Sequence, residues 1–446
     1  MAVMMQGFYW DCAAKEEKMG EWWNYLRGEI PKLGKQGAGF DSIWLPPFSK
    51  AASPFSVGYD PYDYFDLGDY DQKGSVKTAY GNGEELRKLV ATIHENGMGA
   101  IADMVINHNS GADAEEVNPL DGKTRWTKFN PKSGRFPRDW NSFHPSRYER
   151  IMIEGEKFAG LPHLCHRNPL VYAAMFEYAR MVIEDLDFDG FRFDFVKGFG
   201  TWMVGLLAKY VYQKKDGRDF SPFVVGEYWS GPDDIEGWLD GVASLTDSQN
   251  AAFDFPLRYK LKDVCDTLNY DLRNLTDHGS VSAARPFNAV TFTENHDMGG
   301  NEVVNDKMLG YSFILTQDGY PCVFWWDYYN CQLARPGTPY GIDALIAAHH
   351  AHAGGESRVL HADPDLYISQ RGGTESQSGL VYVLNNLGTQ WSGTSVQTRW
   401  QNQKFRPVAW DGKDGAHPDE RTTDGDGNAE FPAPPRGYCV YAPVND

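Results

Sequence analysis

The sequence predicts an α/β protein built on a (β/α)8 barrel. An irregular domain is inserted after the third strand, and an antiparallel β-sandwich domain follows at the C-terminal end. Three observations carry this. Eight short apolar runs end in polar or Gly/Pro punctuation, and helix-like stretches lie between most of them. Beyond residue 355 the pattern changes to short alternating strands separated by Gly, Asn and Asp turns.

The runs are Val3–Trp10, Phe40–Pro46, Met98–Ile106, Phe188–Phe195, Phe223–Trp229, Ala251–Leu257, Ala289–Thr293 and Tyr320–Trp326. Strands alternating with helices argue for a parallel sheet, and eight is the number that closes such a barrel. Between them, Gly83–Asn96 has apolar residues at helical spacing and stops before Gly97. The segment Asn168–Leu186 opens with a cap residue and Pro169 at the first helical position, and places Val171, Met175, Tyr178, Met181 and Val182 on one face. Successive strands mostly start about 30–40 residues apart, but the third and fourth start about 90 apart. The excess, 108–167, is rich in Pro, Gly, Asn and aromatics without helical periodicity, and reads as an inserted domain. After the helix-like Tyr340–His352, the strands LYISQ, GLVYVLNN, TSVQTRW, PVAWDG and GYCVYAPV form the β domain, with Asp411–Asn428 read as loop. The expected division is a barrel from 1–107 and 168–355, an insert from 108–167 and a β domain from 356–446.

Composition narrows the function. At 446 residues the chain exceeds one ordinary domain, and 41% hydrophobic residues suffice for a large core. No stretch approaches the roughly 20 apolar residues of a membrane helix, so no membrane partner is expected. A net charge of −19 argues against nucleic acid, whose phosphates call for a basic surface, and suits a neutral ligand such as a sugar. Aromatics at 14% fill a large core; some could also serve as platforms for sugar rings. The six cysteines are too few and too widely spaced for a disulfide framework, and the start MAVMMQGFYWD has no charged n-region, apolar run and cleavage site. A reduced, cytoplasmic, monomeric protein is the expectation; the alternative is a secreted one whose leader is missing from the sequence.

In such barrels the chemistry sits at the C-terminal strand ends. The third strand ends Asp103-Met-Val-Ile-Asn107-His108, and the fourth reads Gly190-Phe-Arg192-Phe-Asp194. The fifth ends Gly-Glu227-Tyr-Trp229, and the seventh Glu294-Asn295-His296-Asp297. Acids at four strand ends suit glycoside hydrolysis: a cationic, oxocarbenium-like transition state needs one carboxylic acid to protonate the leaving oxygen, and one carboxylate as nucleophile or base. Arg192 and Asp194 lie two apart on one strand and point to the same side, so the guanidinium would keep Asp194 ionised. Glu227 closes an apolar strand beside Tyr228 and Trp229, where burial would keep it protonated. Asp103 alone could simply be an inward carboxylate that holds Arg192.

The segments DMVINH, GFRFDFVKG, GEYW and FTENHD resemble the four conserved regions of the alpha-amylase family, closest to its archaeal and plant branches. The likeness extends to QGFYW, SVGYDPYDYFDLGDY, LPHLCH and the β-rich tail. It implies endo-hydrolysis of α-1,4 bonds in starch-like glucans with retained configuration. Asp194 would be nucleophile, Glu227 acid/base, and Asp297 would hold substrate hydroxyls. His108, Arg192 and His296 would hydrogen-bond the sugar above Tyr59, while Lys197 and Trp229 would contact neighbouring sugars. The retaining route predicts carboxyls of Asp194 and Glu227 about 5–5.5 Å apart.

The resemblance also implies a structural calcium held by Asn107, Glu154 and the Gly198 carbonyl. The position that normally supplies a further Asp is His163, a departure for a cation that favours oxygen. Some archaeal relatives add a zinc; His144 and Cys165 match, Glu149 stands close to where a second His would be expected, and the third ligand would be His163 or His166. Rival readings remain: an exo-acting, transglycosylating or debranching relative; a non-catalytic glucan-binding barrel; and a metal-dependent aldolase, which would call for a phosphate-binding Gly-rich loop.

Overall fold

Eight parallel strands close into a barrel: β1 (Met4–Gln6), β2 (Ser42–Leu45), β3 (Gly99–Met104), β4 (Gly190–Phe193), β5 (Phe223–Gly226), β6 (Asn250–Phe253), β7 (Ala289–Phe292) and β8 (Tyr320–Phe324). Their order around the barrel is β1-β8-β7-β6-β5-β4-β3-β2. This is a computed structural model, and it describes residues 2–13, 18–152, 155–158, 160–276 and 279–444. Every strand falls within an expected apolar run except β6, which starts one residue earlier. The strands are almost wholly buried, as parallel strands covered on both faces must be.

Helices follow the strands: α1 (Trp22–Leu33), α2 (Gly83–Glu95), α3 (Pro169–Arg180), α4 (Thr201–Lys209), α5 (Pro232–Ala243), α6 (Phe255–Asp266), α7 (Lys307–Ile314) and α8 (Ile342–His352). The start of α2 is fixed by a capping box. Asn82 Oδ1 accepts the Glu85 N–H at 2.9 Å, and Glu85 Oε2 accepts the Asn82 N–H at 2.9 Å. The expected helix Asn168–Leu186 divides into α3 and a wider turn over Met181–Asp185.

The chain falls into two compact units. One comprises Gly7–Gly34 and Ser42–Phe253; the other comprises Met1–Gln6, Lys35–Asp41 and Asp254–Asp446. The first carries β2 to β6 and the segment 108–167. That segment is more ordered than its composition suggests, with a hairpin of Ala114–Val117 against Thr124–Lys128. Its small core is built around Arg138, which donates to Asn109 Oδ1 at 2.8 Å and to the Tyr62 carbonyl at 2.5 Å, with its guanidinium 4.1 Å from the Phe129 ring centre.

The second unit carries β1, β7, β8 and the C-terminal sheets. A six-stranded antiparallel sheet contains β9 (Ser357–Ala362), β10 (Leu366–Arg371), β11 (Leu380–Asn385), β13 (Lys404–Asp411), β14 (Arg421–Thr422) and β16 (Gly437–Pro443), and a two-stranded sheet pairs β12 (Ser392–Gln397) with β15 (Asn428–Ala433). Ile368, Val383, Phe405 and Tyr441 of the larger sheet share one core with Val396 and Phe431 of the smaller, which makes a sandwich. Trp410 is buried in this core and Trp400 packs against it. The span Asp411–Asn428 is not all loop: β14 pairs there with Lys404 and Phe405. All six cysteines are free; five are buried and Cys331 is partly exposed. Among the described residues no helix is long and apolar enough to cross a membrane.

Candidate active site

Strand register builds the acidic cluster of the first unit. Asp103 of β3 stands opposite Arg192 of β4, and Arg192 opposite Val225 of β5. Two residues further along β4 and β5 come Asp194 and Glu227. The Arg192 guanidinium is 1% exposed and serves all three acids. Nη1 donates to Asp103 Oδ1 at 3.0 Å and to Asp194 Oδ1 at 2.8 Å, while Nη2 lies 2.7 Å from Glu227 Oε1. Asp103 also accepts from Trp44 Nε1 at 3.0 Å and from the Tyr59 hydroxyl at 2.7 Å.

One buried cation cannot keep three buried carboxylates fully charged, because each loses its hydration. Burial pushes Asp103 up to about 7 against the pull of Arg192. Burial likewise raises Asp194 and Glu227, again opposed by Arg192. The negative charge of Asp194 raises Glu227 further, which favours the proton on Glu227.

Backbone geometry orients Glu227 further. Phe195 has φ 44°, the left-handed region that a non-glycine residue enters only when its surroundings impose it. In that conformation its N–H donates to Glu227 Oε2 at 3.2 Å, and the Val196 N–H donates to the Glu227 carbonyl at 3.1 Å. Tyr59 lies parallel to Trp10, ring centres 6.0 Å apart. Its carbonyl accepts from His108 Nε2 at 2.8 Å, and burial lowers the His108 pKa, which keeps that ring neutral. Lys197 lies 3.0 Å from Glu156 and donates to the Trp229 carbonyl at 3.4 Å; the Trp229 side chain is 36% exposed.

The remaining expected residues belong to the second unit. After β7, His296 Nε2 lies 3.2 Å from Asp297 Oδ2, and His296 Nδ1 pairs with Gln6 Nε2 at 2.9 Å. Gln6 escaped the sequence reading, although a polar residue closing the apolar strand of QGFYW was the available signal. Glu294, read as one of the acids at the strand ends, is 3% exposed. It accepts from Arg258 at 2.6 Å and lies 3.8 Å from Lys307, and burial raises it to about 6.

The family description "Alpha amylase, catalytic domain" matches residues 23–204, and "Alpha-amylase C-terminal" matches 380–442. The cytoplasmic alpha-amylase of Escherichia coli (strain K12) is 30% identical over 440 residues, covering 82% of this chain and 86% of that protein. The chain belongs to the alpha-amylase family. The Bacillus licheniformis alpha-amylase is 29% identical over 438 residues, covering 86% of this chain and 83% of that protein. The solved alpha-amylase of Geobacillus thermoleovorans, complexed with acarbose, superposes with a TM-score of 0.69 over 100% of this chain and 98% of that one; at 18% identity it speaks for the fold.

The alpha-amylase family generally binds calcium. Asn107 Oδ1 is buried with no hydrogen-bond partner among the described residues, the kind of oxygen a hard cation takes. Gly198 is packed so close that a Cβ there would lie 2.4 Å from this atom, and a Cβ on Gly155 would lie 2.4 Å from the Gly198 carbonyl oxygen. This oxygen-lined nook fits calcium. Glu154 lies outside the described residues. His163 Nε2 accepts the Phe158 N–H at 2.6 Å, while its Nδ1 is buried with no hydrogen-bond partner among the described residues. For the zinc expectation, ligand atoms of His144, Glu149 and Cys165 lie within 4.8 Å of one another. The group that the structure brings together thus has Glu149 as its third member, while His166 Nε2 donates to the Ile106 carbonyl at 3.0 Å.

Proposed function

We propose that this alpha-amylase family member hydrolyses internal α-1,4 bonds of starch, glycogen and maltooligosaccharides by double displacement. The observation that carries the reading is that Asp194 and Glu227 both pair with the one buried Arg192 guanidinium, at 2.8 and 2.7 Å. In the first step an Asp194 oxygen attacks the anomeric carbon while Glu227 gives its proton to the departing glycosidic oxygen. In the second, the Glu227 carboxylate takes a proton from water, the water oxygen attacks the same carbon, and the Asp194 ester breaks. Two inversions give net retention. Asp297 is assigned to substrate hydroxyls, His108, Arg192 and His296 to the sugar at the cleaved bond, Tyr59 to stacking, and Lys197 and Trp229 to adjoining sugars. Following the anomer released from amylose by NMR tests the reading: initial release of the α-anomer supports it, and the β-anomer sinks it.

The domain division 1–107 with 168–355, 108–167 and 356–446 is kept as part of this proposal, supported by the hairpin in the insert and the sandwich beyond residue 356. Calcium would be a structural ion, held by Asn107 Oδ1 and the Gly198 carbonyl, with Glu154 and water as further oxygen donors. Zinc at His144, Glu149 and Cys165 is supported by the soft thiolate and imidazole donors. Metal analysis of dialysed protein before and after Cys165→Ser checks it; unchanged zinc content would remove that metal. A reducing compartment is supported by the six free thiols.

A further inference from the structure

We propose that Phe158, contributed by the insert, is a positioning residue for the acid/base Glu227: it clamps the ring of Phe195 and so fixes the backbone N–H on which Glu227 rests. The proposal rests on the acid/base reading of Glu227 given above.

The geometry comes from three contacts of one side chain and its backbone. The Phe158 ring meets the Phe195 ring edge to face, centres 5.0 Å apart at 77°. Its face stacks on the His108 imidazole at 4.7 Å and 8°. Its backbone N–H is held by His163 Nε2 at 2.6 Å, which ties the segment before the ring to the strand-like bridge between His108 and His163. Phe195, in turn, is the residue whose left-handed backbone aims an N–H at Glu227 Oε2.

A non-glycine residue at φ 44° is strained by about 1 kcal/mol or more, and it relaxes when its side chain is released. Without the Phe158 ring, the Phe195 backbone is held only by its neighbours' bonds, from Val196 N–H to the Glu227 carbonyl and from Gly198 N–H to the Phe195 carbonyl, so its N–H can drift from Glu227 Oε2 and weaken the bond that stabilises the ionised form. The other charges facing Glu227 are Arg192 and Asp194, with Asp103 behind Arg192. Loss of a hydrogen bond to the carboxylate therefore lifts the pKa of Glu227 and leaves the Arg192 pairing in place.

The test compares Phe158→Leu with Phe158→Tyr in the full chain. For the leucine variant, kcat on amylose should fall roughly ten-fold with KM within about two-fold, since orientation of a general acid is only part of its usual contribution. The alkaline limb of its pH profile should move up by about half to one unit, the worth of one hydrogen bond. The tyrosine variant keeps the ring and should restore both. A leucine variant with unchanged kcat and an unmoved alkaline limb overturns the proposal. So does a loss of kcat that leaves the limb in place or that tyrosine does not restore, because packing alone would do that. Glu227→Gln separates the underlying reading: if that variant retains activity, the acid/base assignment fails, whatever Phe158 does.

Discussion

At the residue scale the chemistry depends on three acids and one cation being unequal. Asp194→Asn should lower kcat by roughly four orders of magnitude or more with the fold intact, as removal of a nucleophile does; activity within ten-fold of the parent would refute the assignment. The pH profile follows from burial. Glu227 must be protonated to act first, so activity falls as pH rises through its pKa, which burial and Asp194 lift above the ordinary carboxyl value. Asp194 must be ionised, so activity falls as pH drops through its pKa, also raised by burial. The expected bell lies above the range of free carboxyls on its acid side. Asp103 adds a stability effect. Its folded pKa of about 7 exceeds the unfolded value, so its contribution is present at low pH and is lost as pH rises through 7. Thermal unfolding between about pH 4 and 8 should show a decline that flattens in Asp103→Asn. Arg192 and Asp194 were legible together because two-residue spacing fixes a common side of a strand, and Glu227 because it closes an apolar run. Gln6 and Phe158 were not, since both act through partners far away in the chain.

At the element scale, strand ends are set by caps as much as by hydrophobicity. The apolar run Ala251–Leu257 reads as one strand, yet β6 stops at Phe253. Asp254 accepts N–H groups from Leu257 at 3.1 Å and from Ser282 at 2.8 Å, and Phe255 begins α6. Asp followed by Phe-Pro was the readable signal for that break. The capping box of α2 makes a direct test. Asn82→Ala removes the acceptor for the Glu85 N–H and should cost about 1 kcal/mol by chemical denaturation, with kcat unchanged. No loss would mean that packing alone defines that helix start. The short strands β14 and β15 were harder to see, because their partners β13 and β12 are supplied by tertiary pairing and their own sequences alternate weakly.

At the scale of the molecule, the second unit is tied together by Arg436. It donates to Asp306 at 2.7 Å and to the carbonyls of Val264 and Cys265 at 2.8 and 2.6 Å, and its guanidinium also reaches Asn386. One side chain from the loop before β16 thus joins α6, the start of α7 and the end of β11. Arg436→Met should lower stability by about 3 kcal/mol, because it leaves two helix-end carbonyls without their donor and Asp306 with only Lys413, 3.7 Å away, among the described residues, while kcat per folded molecule holds. A chelator tests the proposed calcium at the same scale. An ion present at a hundred times its Kd supplies about 2.7 kcal/mol, so removing it should lower Tm by several degrees; an unchanged Tm would argue that Asn107 and Gly198 hold no cation.

The distribution of thiols gives this chain an internal gauge of its own integrity. Five of six sulfurs are out of reach in the native fold and only Cys331 is partly open, with burial holding its thiol above the usual value. A maleimide reagent should therefore label the native protein slowly and at a single place, and the denatured chain at all six. Counting modified sulfurs by mass spectrometry would then report which parts of the molecule have opened under heat or denaturant, without any engineered probe.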